Sequence, residues 1–137
     1  MFFNLALFNE HSSIILIRNT IENIHQWPHF VKQVCLPFSE TSKDDRYIDL
    51  RALLEYLAKL NLNDVLIESG SRLAGAFIEQ NLVDELILYQ APKLMGAESK
   101  SLVNMVSIEN LIQAKELNIS DLRMIGKDIR IIAKFSK

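Results

Sequence analysis

The stretch Val65-Leu66-Ile67-Glu68-Ser69-Gly70-Ser71-Arg72-Leu73-Ala74-Gly75-Ala76 joins an apolar, β-branched run to a small-residue turn and then to helical spacing. It reads as a strand over 64–68 that delivers the Glu68 carboxylate into a turn opening a helix over 71–80. The free N–H groups of a helix's first turn favour a bound phosphate through hydrogen bonds and the helix dipole, and glycine lets that phosphate approach the main chain. Open α/β sheets also collect ligands at the carboxyl ends of their strands, which is where Glu68 stands. Structural alternatives stay open for each residue. Glu68 can cap the following helix, Gly70 can be a plain turn residue, and Gly75 can serve close packing of the helix against a sheet.

Upstream of this junction, Leu50, Leu53, Leu54, Leu57 and Leu60 recur at i, i+3, i+4, i+7 and i+10. They predict one amphipathic helix with Asp49 as N-cap and Asn61 as stop. The stripe ends after barely two heptads, so it marks core rather than a zipper. Further back, Ile14-Ile15-Leu16-Ile17 predicts a strand covered on both faces, and Val31 to Leu36 a second strand ended by Pro37. Residues 20–30 read as an irregular connection and 38–46 as a polar loop. Met1 to Phe8 is apolar but short, lacks a basic flank, and reads as a strand rather than a signal peptide or membrane span.

Downstream, the predicted helix over 71–80 buries Leu73, Ala74, Phe77 and Ile78, and 82–89 predicts a further strand that exits through Ala91-Pro92-Lys93-Leu94-Met95-Gly96. Strand content returns in Leu111 to Ile119. A terminal antiparallel hairpin of Leu122–Ile125 with Ile129–Lys134 turns at Gly126-Lys127-Asp128. The order strand, helix, strand, helix, strand predicts an α/β fold with parallel crossovers over the middle of the chain.

Composition narrows the function classes. At 137 residues and 49% hydrophobic content the chain reads as one domain, 1–137, able to bury roughly two-thirds of its unfolded surface. Seventeen acidic against fifteen basic residues leave a net charge of -2, without the basic field that nucleic acid requires. Cys35 alone builds no disulfide framework, which points to a reducing compartment and hence the cytoplasm. His25 and His29 stand at i and i+4 near Cys35, but Trp27-Pro28 breaks the helix that would align them and no fourth ligand is evident, so no metal site is expected. Asp84 and Glu85 read as solvated charges at a strand's start, and Lys93 as a loop charge with phosphate binding as the alternative.

Three blocks, Val65-Leu66-Ile67-Glu68-Ser69-Gly70-Ser71 with Leu73-Ala74-Gly75-Ala76, Leu82-Val83-Asp84-Glu85-Leu86, and Ala91-Pro92-Lys93-Leu94-Met95-Gly96, resemble in order and spacing the C-terminal reductase domain of the bifunctional riboflavin-biosynthesis deaminase/reductases. The resemblance implies a dihydrofolate-reductase-like α/β fold. It also implies NADPH-dependent reduction of the ribosyl group of 5-amino-6-(5-phosphoribosylamino)uracil to the ribityl form. By the same resemblance Glu68 would lie beside this small phosphoribosyl pyrimidine, positioning it rather than transferring a proton. Gly70, Ser71, Arg72, Leu73, Ala74, Gly75 and Ala76 would form the turn and helix start that hold the cofactor's phosphates.

The chain also departs from that family. Its start is expected to fall after the strands that supply substrate-phosphate contacts, with no counterpart for Met1 to about His11, so the reductase domain reads as truncated at its N-terminus. The deaminase half and its His/Cys/Cys zinc site are absent, and one cysteine could not build the latter. Two further readings therefore stand beside the reductase: a catalytically incomplete dimerising or assembly module, and a related pteridine or sugar reductase of the same fold. Lost strands leave unpaired sheet edges that invite association, so a homodimer is expected.

Overall fold

A computed structural model describes residues 12–21, 27–39 and 47–136. The chain divides between Asp64 and Val65 into two compact units. The reading of Met1 to Phe8 as a strand falls outside the described residues, as do His25 and most of the 38–46 loop.

In the first unit, β1 (Ile14–Arg18) and β2 (Val31–Cys35) pair in parallel, from Ile14 opposite Val31 to Arg18 opposite Cys35. All five residues of β1 are half-buried, as an unbroken apolar run predicts. The ladder is extended at both ends, where Ile14 N–H donates to Phe30 C=O at 2.9 Å and Leu36 N–H to Arg18 C=O at 2.8 Å. Helix α1 (Leu50–Lys59) follows, and the Asp49 carboxylate accepts from the N–H groups of Arg51 at 2.8 Å and Ala52 at 3.1 Å. That cap satisfies two of the four donors a helix start leaves open.

Asn61 ends α1 in the left-handed region, φ 60°, with its own N–H on Ala58 C=O and Leu62 N–H on Leu57 C=O. This is a Schellman arrangement, in which a residue of positive φ turns the chain back onto the last carbonyls. The same arrangement closes α2 (Ser71–Glu79) in the second unit: Asn81 has φ 55°, its N–H reaches Ile78 C=O, and Leu82 N–H reaches Phe77 C=O. Both helices therefore stop where an asparagine tolerates αL.

The burial of α2 differs from expectation in one residue. Gly75, Phe77 and Ile78 are buried and Ala74 is half-buried, but Leu73 is 44% exposed. At about 100° per residue, Phe77, Ile78 and Gly75 share one arc, and Leu73 falls beyond its rim.

The sheet of the second unit is antiparallel, in the order β3 (Glu85–Gln90), β5 (Asp128–Phe135), β4 (Leu117–Ile125). The terminal hairpin lies where it was predicted and is longer, running from Ile125 opposite Asp128 to Leu117 opposite Phe135. Its two-residue loop places Gly126 at φ 63° in the first central position, the pattern of a type II′ turn that matches strand twist. A bulge at Ser120 sets Ile119 opposite Ala133 and Asp121 opposite Ile132, and the Ser120 hydroxyl donates to Ile132 C=O at 3.1 Å.

Three strand expectations are corrected. Residues 62–70 carry no strand, and the parallel pair is β1–β2 rather than one in the middle of the chain. The apolar run 65–67 opens the second unit, whose described sheet takes neighbours only from 85–90, 117–125 and 128–135. Residues 111–113 form a single 3-10 turn, with Glu109 N–H held by the Gln113 side chain at 2.8 Å, so the strand there starts only at Leu117. No described helix is long and apolar enough to cross a membrane.

Candidate functional site

Local sequence fixes how α2 begins. Gly70 is its N-cap, in extended backbone at φ -71° and ψ 164°, and no side chain caps the helix. The first intrahelical bond runs from Ala74 N–H to Gly70 C=O at 3.2 Å. The N–H groups of Ser71, Arg72 and Leu73 thus keep the orphan character of a first turn, with the positive end of the dipole behind them. Gly70 faces open space: a Cβ built there meets nothing within 4 Å. Its backbone angles suit any residue, so the use of glycine at this position is access rather than conformation.

Glu68 and Ser69 precede this end on the same exposed segment, and the Ser69 hydroxyl donates to Gly70 C=O at 3.3 Å. Since no side chain caps α2, Glu68 does not take the capping role that was its structural alternative. The structure brings Glu68, Ser69, Gly70, Ser71, Arg72 and Leu73 together at the open end of one helix. Ala74 and Ala76 are half-buried further along, and Gly75 is buried. Gly75 lies beneath Asn104, whose carbonyl carbon would be 2.8 Å from an added Cβ. Lys93 is exposed in the turn after β3, where its N–H donates to Ala91 C=O at 2.8 Å.

One polar cluster was not visible in the sequence. Asp121 on β4 accepts from Arg123 at 2.9 Å through Nε and from Arg130 on β5 at 2.8 Å through Nη2. These two hydrogen bonds, Arg123 first, hold the Asp121 carboxyl down at about 2, and the Asp121 bond raises Arg130 in turn, with Tyr89 adding to it. Tyr89, Arg130 and Arg123 lie directly opposite one another across the three strands. Strand alternation puts Asp121 and Arg123 on one face, and the regular register from Asp121 to Ile125 brings that face to Arg130; the predicted hairpin begins at Leu122, one residue short of Asp121.

The RibD C-terminal domain family matches this chain over residues 3–131, so the counterpart missing from Met1 to about His11 is supplied from Phe3 onward. The chain is 34% identical over 110 residues to the riboflavin biosynthesis protein RibD of Escherichia coli K12, covering 80% of the chain and 29% of that protein. It is 38% identical over 110 residues to the 5-amino-6-(5-phosphoribosylamino)uracil reductase of Buchnera aphidicola from Acyrthosiphon pisum, covering 77% of the chain and 49% of that protein. The chain therefore spans about a third to a half of the length of these relatives. A solved structure of Acinetobacter baumannii RibD superposes with a TM-score of 0.77 at 22% identity, covering all of this chain and 35% of that one, and it shows a shared fold. The chain belongs to the RibD C-terminal domain family.

Proposed function

We propose that this chain carries the cofactor-holding part of an NADPH-dependent 5-amino-6-(5-phosphoribosylamino)uracil reductase of riboflavin biosynthesis. The observation that carries the reading is the uncapped start of α2, with an open Gly70 and an uncommitted Glu68 on the segment leading into it. Those residues fit the phosphates of a dinucleotide: three main-chain donors, no Cβ at the point of approach, and the Arg72 guanidinium on the exposed first turn. Bound NADPH would supply the hydride that reduces the open-chain carbonyl of the ribosyl group. The protein's own share is orientation. Ser71, Arg72 and Leu73 hold phosphate through N–H groups, Ala74, Gly75 and Ala76 set the pitch of the helix behind them, and Glu68 accepts a hydrogen bond from a sugar hydroxyl or a uracil N–H.

The family match runs across the boundary between the two units, which supports treating 1–137 as one functional domain. The compartment that suits a lone Cys35 is the reducing cytoplasm.

Calorimetric titration tests the reading. The wild-type chain binds NADPH, and Gly70→Val, whose Cβ meets nothing within 4 Å, stays folded with a thermal midpoint lowered only by the poorer N-cap and loses that binding. A folded wild type without NADPH affinity overturns the assignment. NADPH binding without turnover of the phosphoribosyl pyrimidine moves it to a pteridine or sugar substrate.

A second reading rests on a separate observation. Among the described residues β4 is an edge strand of nine residues, on which Leu117, Ile119, Leu122 and Met124 are 40–61% exposed. Such an edge favours self-association into a homodimer, whether or not the chain turns over substrate.

A further inference from the structure

Residues 91–110, between β3 and the 3-10 turn at Leu111–Gln113, contain no helix or strand, and a structureless connection of that length in a compact fold is usually functional. This one is fastened to α2 through residues 104–106. Asn104 N–H donates to the carbonyl of Ser71, the first residue of α2, at 2.9 Å. The Asn104 backbone then crosses Gly75 so closely that a Cβ there would overlap its carbonyl group. Val106 N–H reaches the carboxylate of Glu79, the last residue of α2. Ser71, Gly75 and Glu79 stand at i, i+4 and i+8, one row along the helix surface. The segment 104–106 lies along that row from the N-terminal to the C-terminal end, with Val103 and Met105 half-buried and Asn104 and Val106 exposed.

Two consequences follow from the direction of the crossing. The arm 91–103 arrives at the N-terminal end of α2, the end with the open donors. The far anchor of the crossing is a charge-assisted bond to Glu79, which has no part in the phosphate site itself.

We propose that Glu79 is a positioning residue: with the bare surface of Gly75 it clamps 104–106 along α2 and holds the long loop as a wall beside the first turn, and this wall sets the affinity for the cofactor's phosphates. The proposal rests on the NADPH reading above. Gly75 acts through shape, since any side chain there displaces Asn104. Glu79 acts through its acceptor, since its loss hands the exposed Val106 N–H to water and frees the segment from α2.

The test measures NADPH dissociation constants by calorimetry and amide exchange at Asn104 and Val106 for the wild type, Glu79→Ala and Glu79→Gln. Glu79 is exposed, so neither variant threatens folding, and circular dichroism confirms it. Glu79→Ala loses exchange protection at Val106 and binds NADPH about tenfold more weakly, the size expected when a charge-assisted hydrogen bond is removed. Glu79→Gln keeps a neutral acceptor, retains part of the protection and stays within about threefold of the wild type. The inference is overturned if Glu79→Ala binds as the wild type does, or if binding falls while Val106 stays protected. A wild type that binds no NADPH instead overturns the cofactor reading, and the role of the clamp with it.

Discussion

Asp49 and Asn61 show where single residues were readable in advance. Asn61 stops α1 and Asp49 starts it, both as the sequence predicts, because a cap is decided by atoms within four residues of one another. Glu68 was harder, since a carboxylate before a helix serves equally as a cap or as a ligand contact. The absence of any side-chain cap on α2 removes the first role, and the substrate contact stays a proposal. Its proposed task is to accept one hydrogen bond, which a neutral amide does less well. Glu68→Gln should therefore raise the KM for the phosphoribosyl pyrimidine about tenfold while the NADPH dissociation constant is unchanged. Steady-state kinetics with each ligand varied in turn checks this, and an unchanged pyrimidine KM removes Glu68 from the substrate side.

At the scale of elements, β1, β2, α1, α2 and the terminal hairpin were legible because each carries its own periodicity or turn chemistry. Residues 64–68 carry the same apolar signal as β1, yet no strand forms there, because a strand exists only by virtue of a paired neighbour and its composition does not say who that is. The Ser120 bulge was equally hidden, and so was the Asp121 network that ties β4 to β5, because the predicted strand began only at Leu122. That network makes the hairpin pH-sensitive in a fixed direction. The Asp121 carboxyl is lowered from 3.8 to about 2 by the Arg123 and Arg130 hydrogen bonds, so its stabilisation is complete above the ordinary value and is lost as pH falls through the depressed one. Denaturant midpoints should show wild type more stable than Asp121→Asn by a constant margin at neutral pH. The margin should shrink between about pH 4 and about pH 2, the interval between the two carboxyl values. A margin independent of pH over that interval shows that the two arginines do not select the charged form.

For the whole molecule, the open question is what lies against the edge of the β3-β5-β4 sheet. Among the described residues β4 pairs only with β5, so one side of a nine-residue strand presents unmatched N–H and C=O groups beside exposed Ile119, Leu122 and Met124. Strand edges of that length and character are normally short, charged or covered in a stable monomer. A second copy of the chain can cover this one by symmetry: antiparallel pairing centred on Leu122 would bring each Asp121 opposite the Arg123 of the other copy and stack the two leucines. The proposed homodimer therefore predicts a sedimentation coefficient of a dimer at micromolar concentration. Leu122→Lys, which places like charges face to face at the centre, should shift the population to monomer and leave NADPH affinity as it was, since Leu122 is distant in sequence from the α2 donors and belongs to another element. A wild type that sediments as a monomer at high concentration rules out self-pairing through β4 and returns that edge to some other partner.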